Sequence, residues 1–264
     1  MDLNLRNKIA LITGSSVGIG KSVAEQFAKE GVDLILCSRN KNNIEKVANE
    51  LQIKYSIKAR GLSIDLTNKK SFNILDNFIM DEFGGVDILI NNAGTGTNET
   101  IMEAEDEKWQ YYWDLHVMAT VRTTKIVVPY MVKRGGGSII QSASICASQP
   151  LWYEPIYNVT KAALVMLGKN MANELIGKNI RVNTINAGLI LTPDWIKTAK
   201  ELTKDKEITW EDYINSIANE NAPIGRFGSP DELAKFYVFL SSECASYCVG
   251  STYYIDGGML KVIK

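Results

Sequence analysis

An apolar run, Lys8–Ile12, leads directly into Thr13-Gly14-Ser15-Ser16-Val17-Gly18-Ile19-Gly20, and an amphipathic stretch leads out of it. Glycine is needed where backbone must turn tightly or approach a ligand closely. A helix that starts at such a turn offers free N–H groups and the positive end of its dipole, which suits a pyrophosphate. The turn carries that meaning only between a strand and a helix. After it, Ile19, Val23 and Phe27, with Ala24 and Ala28, fall on one helical face, and Gly31 closes the helix.

The same alternation continues along the chain. Val32–Cys37 is apolar without a break, as a strand buried on both faces is. Asn43–Tyr55 reads as helix, Ala59–Ile64 as strand, Ser71–Phe83 as helix stopped by Gly84-Gly85, and Val86–Ile90 as strand. Glu103–Lys133 holds a long helix, followed by a strand at Ser138–Gln141, a helix at Ile156–Ile176 and a strand at Ile180–Ile185. Pro230–Leu240 begins with proline and acidic residues, a good helix start, and Thr252–Ile255 is a last strand. This order predicts an α/β fold of Rossmann type, a doubly wound, mostly parallel sheet with helices on both faces. The 264 residues read as one domain, 1–264. The polar, helix-prone stretch 192–228 interrupts the rhythm after a strand end. It reads either as a lid over the ligand site or as a surface helical pair whose Trp195 and Trp210 fill a small core of their own.

A net charge of −1 and a pI of about 6.0 give no support for nucleic-acid or membrane-surface binding. No apolar run approaches the ~20 residues that span a bilayer, and the N-terminal residues lack the apolar core of a signal peptide, so a cytoplasmic location is expected. Of Cys37, Cys146, Cys244 and Cys248, three sit in apolar or small-residue runs suited to buried thiols. With His116 as the one histidine, no metal site is expected.

The spacing Gly14-x-x-x-Gly18-x-Gly20, after Thr13, resembles the short-chain dehydrogenase/reductase family. Asn91-Asn92-Ala93-Gly94 matches its N-N-A-G, and Tyr157-Asn158-Val159-Thr160-Lys161 its Y-x-x-x-K. Ser144 stands thirteen residues before Tyr157, as the family serine does. The resemblance covers nearly the whole chain and implies a dinucleotide held by Gly14, Ser16, Gly18, Ile19 and Gly20 at the pyrophosphate. It further implies Asp65 and Leu66 at the adenine, Asn92, Ala93 and Gly94 along the cleft, and Ile190 and Thr192 at the carboxamide, with Tyr157 and Lys161 at the ribose. An Asp in the place of Asp65 also caps a helix, and Ile190 is also a core residue. The ribose is read at the end of the second strand. There Ser38 replaces the acid that would bind a 2′-hydroxyl, and Arg39 follows it. Arginine forks onto phosphate, so NADP(H) is expected over NAD(H). Val17, where many NADP-preferring relatives carry a basic residue, argues the other way.

Carbonyl reduction needs a hydride at carbon and a proton at oxygen. Tyrosine, with a pKa of about 10, is a poor proton donor–acceptor at neutral pH unless a cation stabilises the tyrosinate. Tyr157 and Lys161 are four apart in a helical stretch, hence on one face, so Lys161 is expected to lower the Tyr157 pKa. Ser144 ends the preceding strand and could steady the charge developing on a substrate oxygen. His116 falls where the family carries an Asn that holds a relay water. A histidine there suits a proton relay, and equally a histidine satisfied in the helix interior. Ala187-Gly188 replaces the family's Pro-Gly, and a looser loop is expected under the nicotinamide.

The expected activity is therefore an NADP(H)-dependent interconversion of a secondary alcohol and a ketone. Trp152, Tyr153, Glu154, Trp195 and Trp210 are candidate pocket residues; aromatics with one carboxylate suit a sugar, polyol or small cyclic alcohol, equally a flat apolar ketone, or simply pack the loops. Alternatives are reduction of a 3-oxoacyl thioester on an acyl-carrier protein, marked by a basic patch beside the pocket, a cofactor-binding sensor with little turnover, and a non-redox lyase or epimerase using the same tyrosine. The resemblance also implies a homotetramer.

Overall fold

A computed structural model describes residues 2–263. β1 (Ile9–Thr13) is buried along its whole length, as a strand covered on both faces must be. It pairs in parallel with β2 (Asp33–Ser38) on one side and β4 (Ile88–Asn91) on the other. With β3 (Ala59–Ser63), β5 (Gly137–Ser144), β6 (Ile180–Ala187) and β7 (Thr252–Ile255) they make one parallel sheet of seven strands, in the order β3-β2-β1-β4-β5-β6-β7. The winding direction reverses between β1 and β4. A crevice opens there at the carboxyl ends of the strands, where ligands bind in sheets of this kind.

Two apolar layers hold the sheet. On one face α1 (Gly18–Lys29), α2 (Lys41–Tyr55) and α9 (Pro230–Ser241) bury Val23, Phe27, Ile44, Leu233 and Tyr237. On the other, α3 (Ser71–Glu82), α5 (Ala119–Lys133) and α6 (Pro155–Leu175) bury Leu75, Ile79, Val127, Met131 and Leu175. α9 starts on a full capping box, Ser229 with Glu232, just before its proline.

The long helical stretch differs from the sequence expectation of 103–133. It begins at Asp106, because Thr100 and Glu103 close a turn of their own and Glu105 is extended. After α4 (Asp106–Tyr112) it widens into a π-turn, Trp113–Met118, in which the Ala119 N–H reaches back to the Asp114 carbonyl. Such turns occur often at functional sites, and this one carries His116. β5 and β6 run past Gln141 and Ile185 to Ser144 and Ala187, paired residue for residue, so both strands deliver their last residues to the crevice.

Within 192–228, α7 (Pro193–Thr203) and α8 (Trp210–Asn221) pack on each other. Ala199, Ile214, Ala218 and Phe227 form a small separate core with Trp195 and Trp210 against it. The tryptophans thus fill a core of their own. The segment is tied to the sheet where the Leu191 N–H meets the Gly228 carbonyl and the Gly228 N–H meets the Leu189 carbonyl, each at 2.9 Å.

Candidate active site

Gly14 and Gly20 shape the turn after β1. Gly14 has φ +65°, and a Cβ there would lie 2.8 Å from the Ala93 Cα. A Cβ at Gly20 would lie 2.3 Å from the Gly14 carbonyl oxygen, so α1 and the turn touch backbone to backbone. Val17, the residue before α1, makes no side-chain cap, which leaves the first N–H groups of the helix free for an anion. Ser16 and Ile19 flank this cradle, both half-buried. Ser15 knits β1 to β2, donating to the Ile12 carbonyl at 3.0 Å and accepting from the Cys37 N–H at 3.1 Å.

Thr13, whose side chain the sequence reading left without a role, braces the cleft's far wall. Its Oγ1 accepts the N–H groups of Asn92 and Ala93 at 2.9 and 3.0 Å. Asn92 in turn donates from Nδ2 to the Thr13 and Gly14 carbonyls. The phosphate turn and the Asn92-Ala93-Gly94 strand end are thus one hydrogen-bonded unit. Thr192 completes the enclosure, since a Cβ on Gly18 would meet its side chain at 3.6 Å.

Ser38 is half-buried at the end of β2, and Arg39 is exposed beside it. The Arg39 carbonyl accepts the Ser63 hydroxyl at 2.9 Å, while Nη1 donates to the Tyr111 hydroxyl on α4 at 3.2 Å. Among the described residues Arg39 has no carboxylate partner. Asp65 is exposed after β3 and spends Oδ1 on the N–H and hydroxyl of Thr67. Leu66 and Ile190 are buried in the core beside the cleft.

At the opposite end of the crevice Ser144, Tyr157 and Lys161 come together. Ser144 closes β5 and is buried, with Oγ accepting the Cys146 N–H at 3.2 Å. Tyr157 sits in the first turn of α6 and Lys161 one turn on, with Nζ 5.3 Å from the tyrosine ring centroid. Lys161 is buried and donates to the Ser142 carbonyl at 2.8 Å. Burial pulls its ammonium down to about 8. Burial also pushes the Tyr157 phenol up, with the Cys146 and Glu154 charges adding and the Ser144 hydroxyl opposing. The lowering of Tyr157 expected from Lys161 is not seen in the protein by itself, where burial raises the phenol instead. A Cβ on Gly94 would meet His116 at 3.0 Å and Lys161 Nζ at 3.5 Å, so the cleft floor admits only glycine-sized backbone there.

His116 is buried on the π-turn. Its Nε2 accepts the Thr95 N–H at 3.3 Å, and Nδ1 lies 2.8 Å from the Thr160 hydroxyl. Nδ1 therefore carries the proton. Burial, then the Lys161 charge, drives the imidazole down to about 2, so the ring is neutral. Both nitrogens are committed to Thr95 and Thr160, and neither hydrogen-bonds Lys161. The ring also meets Tyr157 edge-on, with centroids 5.8 Å apart.

Glu154 precedes α6, and its carboxylate oxygen lies 3.4 Å from where a Cβ on Gly96 would stand. Burial, and then the charge of Glu99, raises it to about 7. Glu99 has a buried side chain held by Lys108, and its N–H donates to the Tyr153 carbonyl at 3.0 Å. That tie draws the loop after β4 against the loop before α6. Sequence spacing gave no hint of Glu99. Trp152 is 79% exposed at the rim. Gly188 donates to the Ile255 carbonyl at 3.0 Å, which pins the loop after Ala187 without a proline.

Cys37 and Cys146 are buried, Cys248 half-buried and Cys244 exposed. Among the described residues no three metal-ligating side chains converge, and no helix is long and apolar enough to cross a membrane.

Residues 14–260 match a family model described as enoyl-(acyl carrier protein) reductase. Dehydrogenase/reductase SDR family member 4 of Oryctolagus cuniculus is 38% identical over 96% of this chain and 94% of its own. The 3-oxoacyl-[acyl-carrier-protein] reductase FabG of Aquifex aeolicus is 32% identical over 98% of this chain and all of its own. The crystal structure of L-sorbose reductase from Gluconobacter frateurii, complexed with NADPH and L-sorbose, superposes over the whole of both chains with a TM-score of 0.98 and 57% identity. With its glycine turn, its strand order and these full-length likenesses, the chain belongs to the short-chain dehydrogenase/reductase family.

Proposed function

We propose that this chain is an NADP(H)-dependent oxidoreductase that interconverts a ketone and a secondary alcohol on a small polyhydroxylated substrate of sugar or polyol type. The observation that carries the substrate class is Glu154, a carboxyl group raised to about 7 beside the Ser144–Tyr157–Lys161 cluster. At neutral pH it both accepts and donates hydrogen bonds, as a run of hydroxyls requires. The full-length likeness to L-sorbose reductase supports the same reading.

The residues fit the dinucleotide. The open α1 N-terminus and the glycine contacts would hold the pyrophosphate, Arg39 a 2′-phosphate, and Lys161 with Thr192 the nicotinamide end. Bound there, the nicotinamide supplies or takes the hydride. The chain's own residues handle the proton. Tyr157 gives its phenolic proton to the substrate oxygen, or takes it back in the oxidative direction. Ser144 donates to the same oxygen and steadies its charge. Lys161, in its protonated form, stabilises the tyrosinate left behind. His116 acts as a brace, joining the π-turn to α6 through Thr160 and to the cleft floor through Thr95. α7 and α8 cover the strand ends as the lid. The enzyme works as a cytoplasmic homotetramer, a reading supported by apolar side chains left on the surface, among them Trp113, Val132, Met166 and Tyr247.

A second reading, reduction of a 3-oxoacyl thioester on a carrier protein, draws on one observation. Lys197, Lys200 and Lys204 line a groove at α7 next to Pro193, together with Glu201, which pairs with Lys197. A substrate panel separates the two. With NADPH and the purified enzyme, ketoses are reduced and 3-oxoacyl thioesters are not. Arg39→Asp weakens NADPH against NADH by about tenfold. Turnover of thioesters alone would replace the first reading with the second.

Glu154 gives a pH test. Its folded pKa lies above the ordinary carboxyl value, so the protein holds this proton more tightly than the unfolded chain does. Stability therefore falls as pH rises from about 4.5 to about 7, and Glu154→Gln removes that fall. The same variant raises the ketose KM about tenfold and flattens its pH dependence near 7. An unchanged KM profile would remove Glu154 from the substrate site.

A further inference from the structure

The backbone at Arg39 is fixed from both sides. Its carbonyl takes the Ser63 hydroxyl, and the next residue, Asn40, caps α2 by accepting the Asn43 N–H at 3.0 Å. The guanidinium is the movable part. It projects from the end of β2 without a carboxylate partner among the described residues. Its side-chain contact is instead the Tyr111 hydroxyl, which stands on α4, on the far side of the sheet's switch point.

Tyr111 is itself well held. Its ring meets Tyr112 edge-on at 5.3 Å, and the Tyr112 hydroxyl donates to the Gly96 carbonyl at 3.0 Å. The residue remains 38% exposed, and its hydroxyl lies beside the exposed Arg39 guanidinium at the end of β2. The sense of the Arg39 bond matters. Arginine can only donate, so the tyrosine oxygen accepts and keeps its own proton free. The guanidinium spends one of its five N–H groups on Tyr111 and keeps the rest. A phosphate oxygen placed between them can accept from both groups at once.

We infer that Tyr111 is a specificity-determining residue for the cofactor's 2′-phosphate, orienting the Arg39 guanidinium and adding a second donor to the anion site. This rests on the NADP(H) reading of the cleft. It makes the site two-sided, with the cation on β2 and the phenol on α4, so NADPH draws the two elements together and NADH does not.

The test is cofactor binding by protein and NAD(P)H fluorescence, with kinetics in parallel, on wild type, Tyr111→Phe, Arg39→Ala and the double variant. Tyr111→Phe keeps the ring and its packing on Tyr112. It weakens NADPH binding about three- to tenfold and leaves the NADH Kd within about twofold. KM for NADPH rises more than kcat falls, and in the Arg39→Ala background the second substitution adds little. Equal weakening of both cofactors would show a hydroxyl that serves the part of the dinucleotide both share, and tighter NADPH binding would show a bond that competes with phosphate. Either result overturns the inference while the NADP(H) reading stands. A wild-type protein that binds both cofactors alike would overturn that reading, and the inference with it.

Discussion

Tyr157→Phe lowers turnover by about 10²–10⁴-fold, the range a positioned proton donor contributes, while NADPH binding stays near the wild-type level. The ring loses one oxygen and keeps its edge contact with His116 and its place over Lys161. Nothing in the glycine turn or at Arg39 touches it, and the contact implied for it at the ribose is one hydrogen bond among many, so NADPH binding within about tenfold of wild type reports an intact cleft. In the proposed mechanism the phenol acts on a proton that moves in the transition state, so the loss is in kcat more than in KM. Single-turnover kinetics with a ketose would measure it. Turnover within tenfold of wild type would mean that another group gives the proton, and the roles of Ser144, Tyr157 and Lys161 would have to be redrawn.

Lys161→Met also removes turnover, by about 10²–10⁴-fold on the same grounds, yet it makes the cofactor-free protein more stable at pH 7. The sign follows from burial. The lysine ammonium is pulled down to about 8 in the fold and titrates near 10.4 in an unfolded chain. The unfolded state therefore binds more protons between these values, and wild-type stability rises with pH across that window. Below about pH 8 the full cost of burying the charge is present. Methionine avoids that cost and fills similar space, offset by loss of the bond to the Ser142 carbonyl. The net gain is on the order of 1–3 kcal/mol, a few degrees in Tm for a chain of this length. Melts at pH 7 and pH 10 check it: the variant leads at pH 7 and the gap closes toward pH 10. A lower Tm than wild type at pH 7 would show that the ammonium is a net stabiliser.

How much of this was legible in the sequence depends on the range of the interaction. The glycine turn, the buried strands and the Tyr157–Lys161 spacing are local patterns, and their physics acts within a few residues. Gly14 and Gly20 are also set by contacts with Ala93 and with the turn itself, but a missing side chain still shows in the sequence. The end of β5 was harder. The apolar run stops at Gln141, and Ser142, Ala143 and Ser144 continue the strand because Ile185, Asn186 and Ala187 pair with them. Glu99 left no trace, since its value comes from Lys108, Tyr153 and Glu154. His116 was visible as an odd residue in a known place. Its two hydrogen bonds, to Thr95 and Thr160, depend on a π-turn that no local propensity announces.

The small core shared by α7 and α8 has a consequence for how such a protein diversifies. Ala199, Ile214, Ala218 and Phe227 pack chiefly with one another and with Leu189 and Leu191, where the segment is tied to the sheet, not with the layers that hold the sheet. Changes in that segment are therefore felt locally. A lineage can resculpt this segment, residue by residue, without drawing on the folding free energy of the nucleotide-binding body. Cofactor use and global stability are then inherited together, while the segment between β6 and α9 drifts on its own clock.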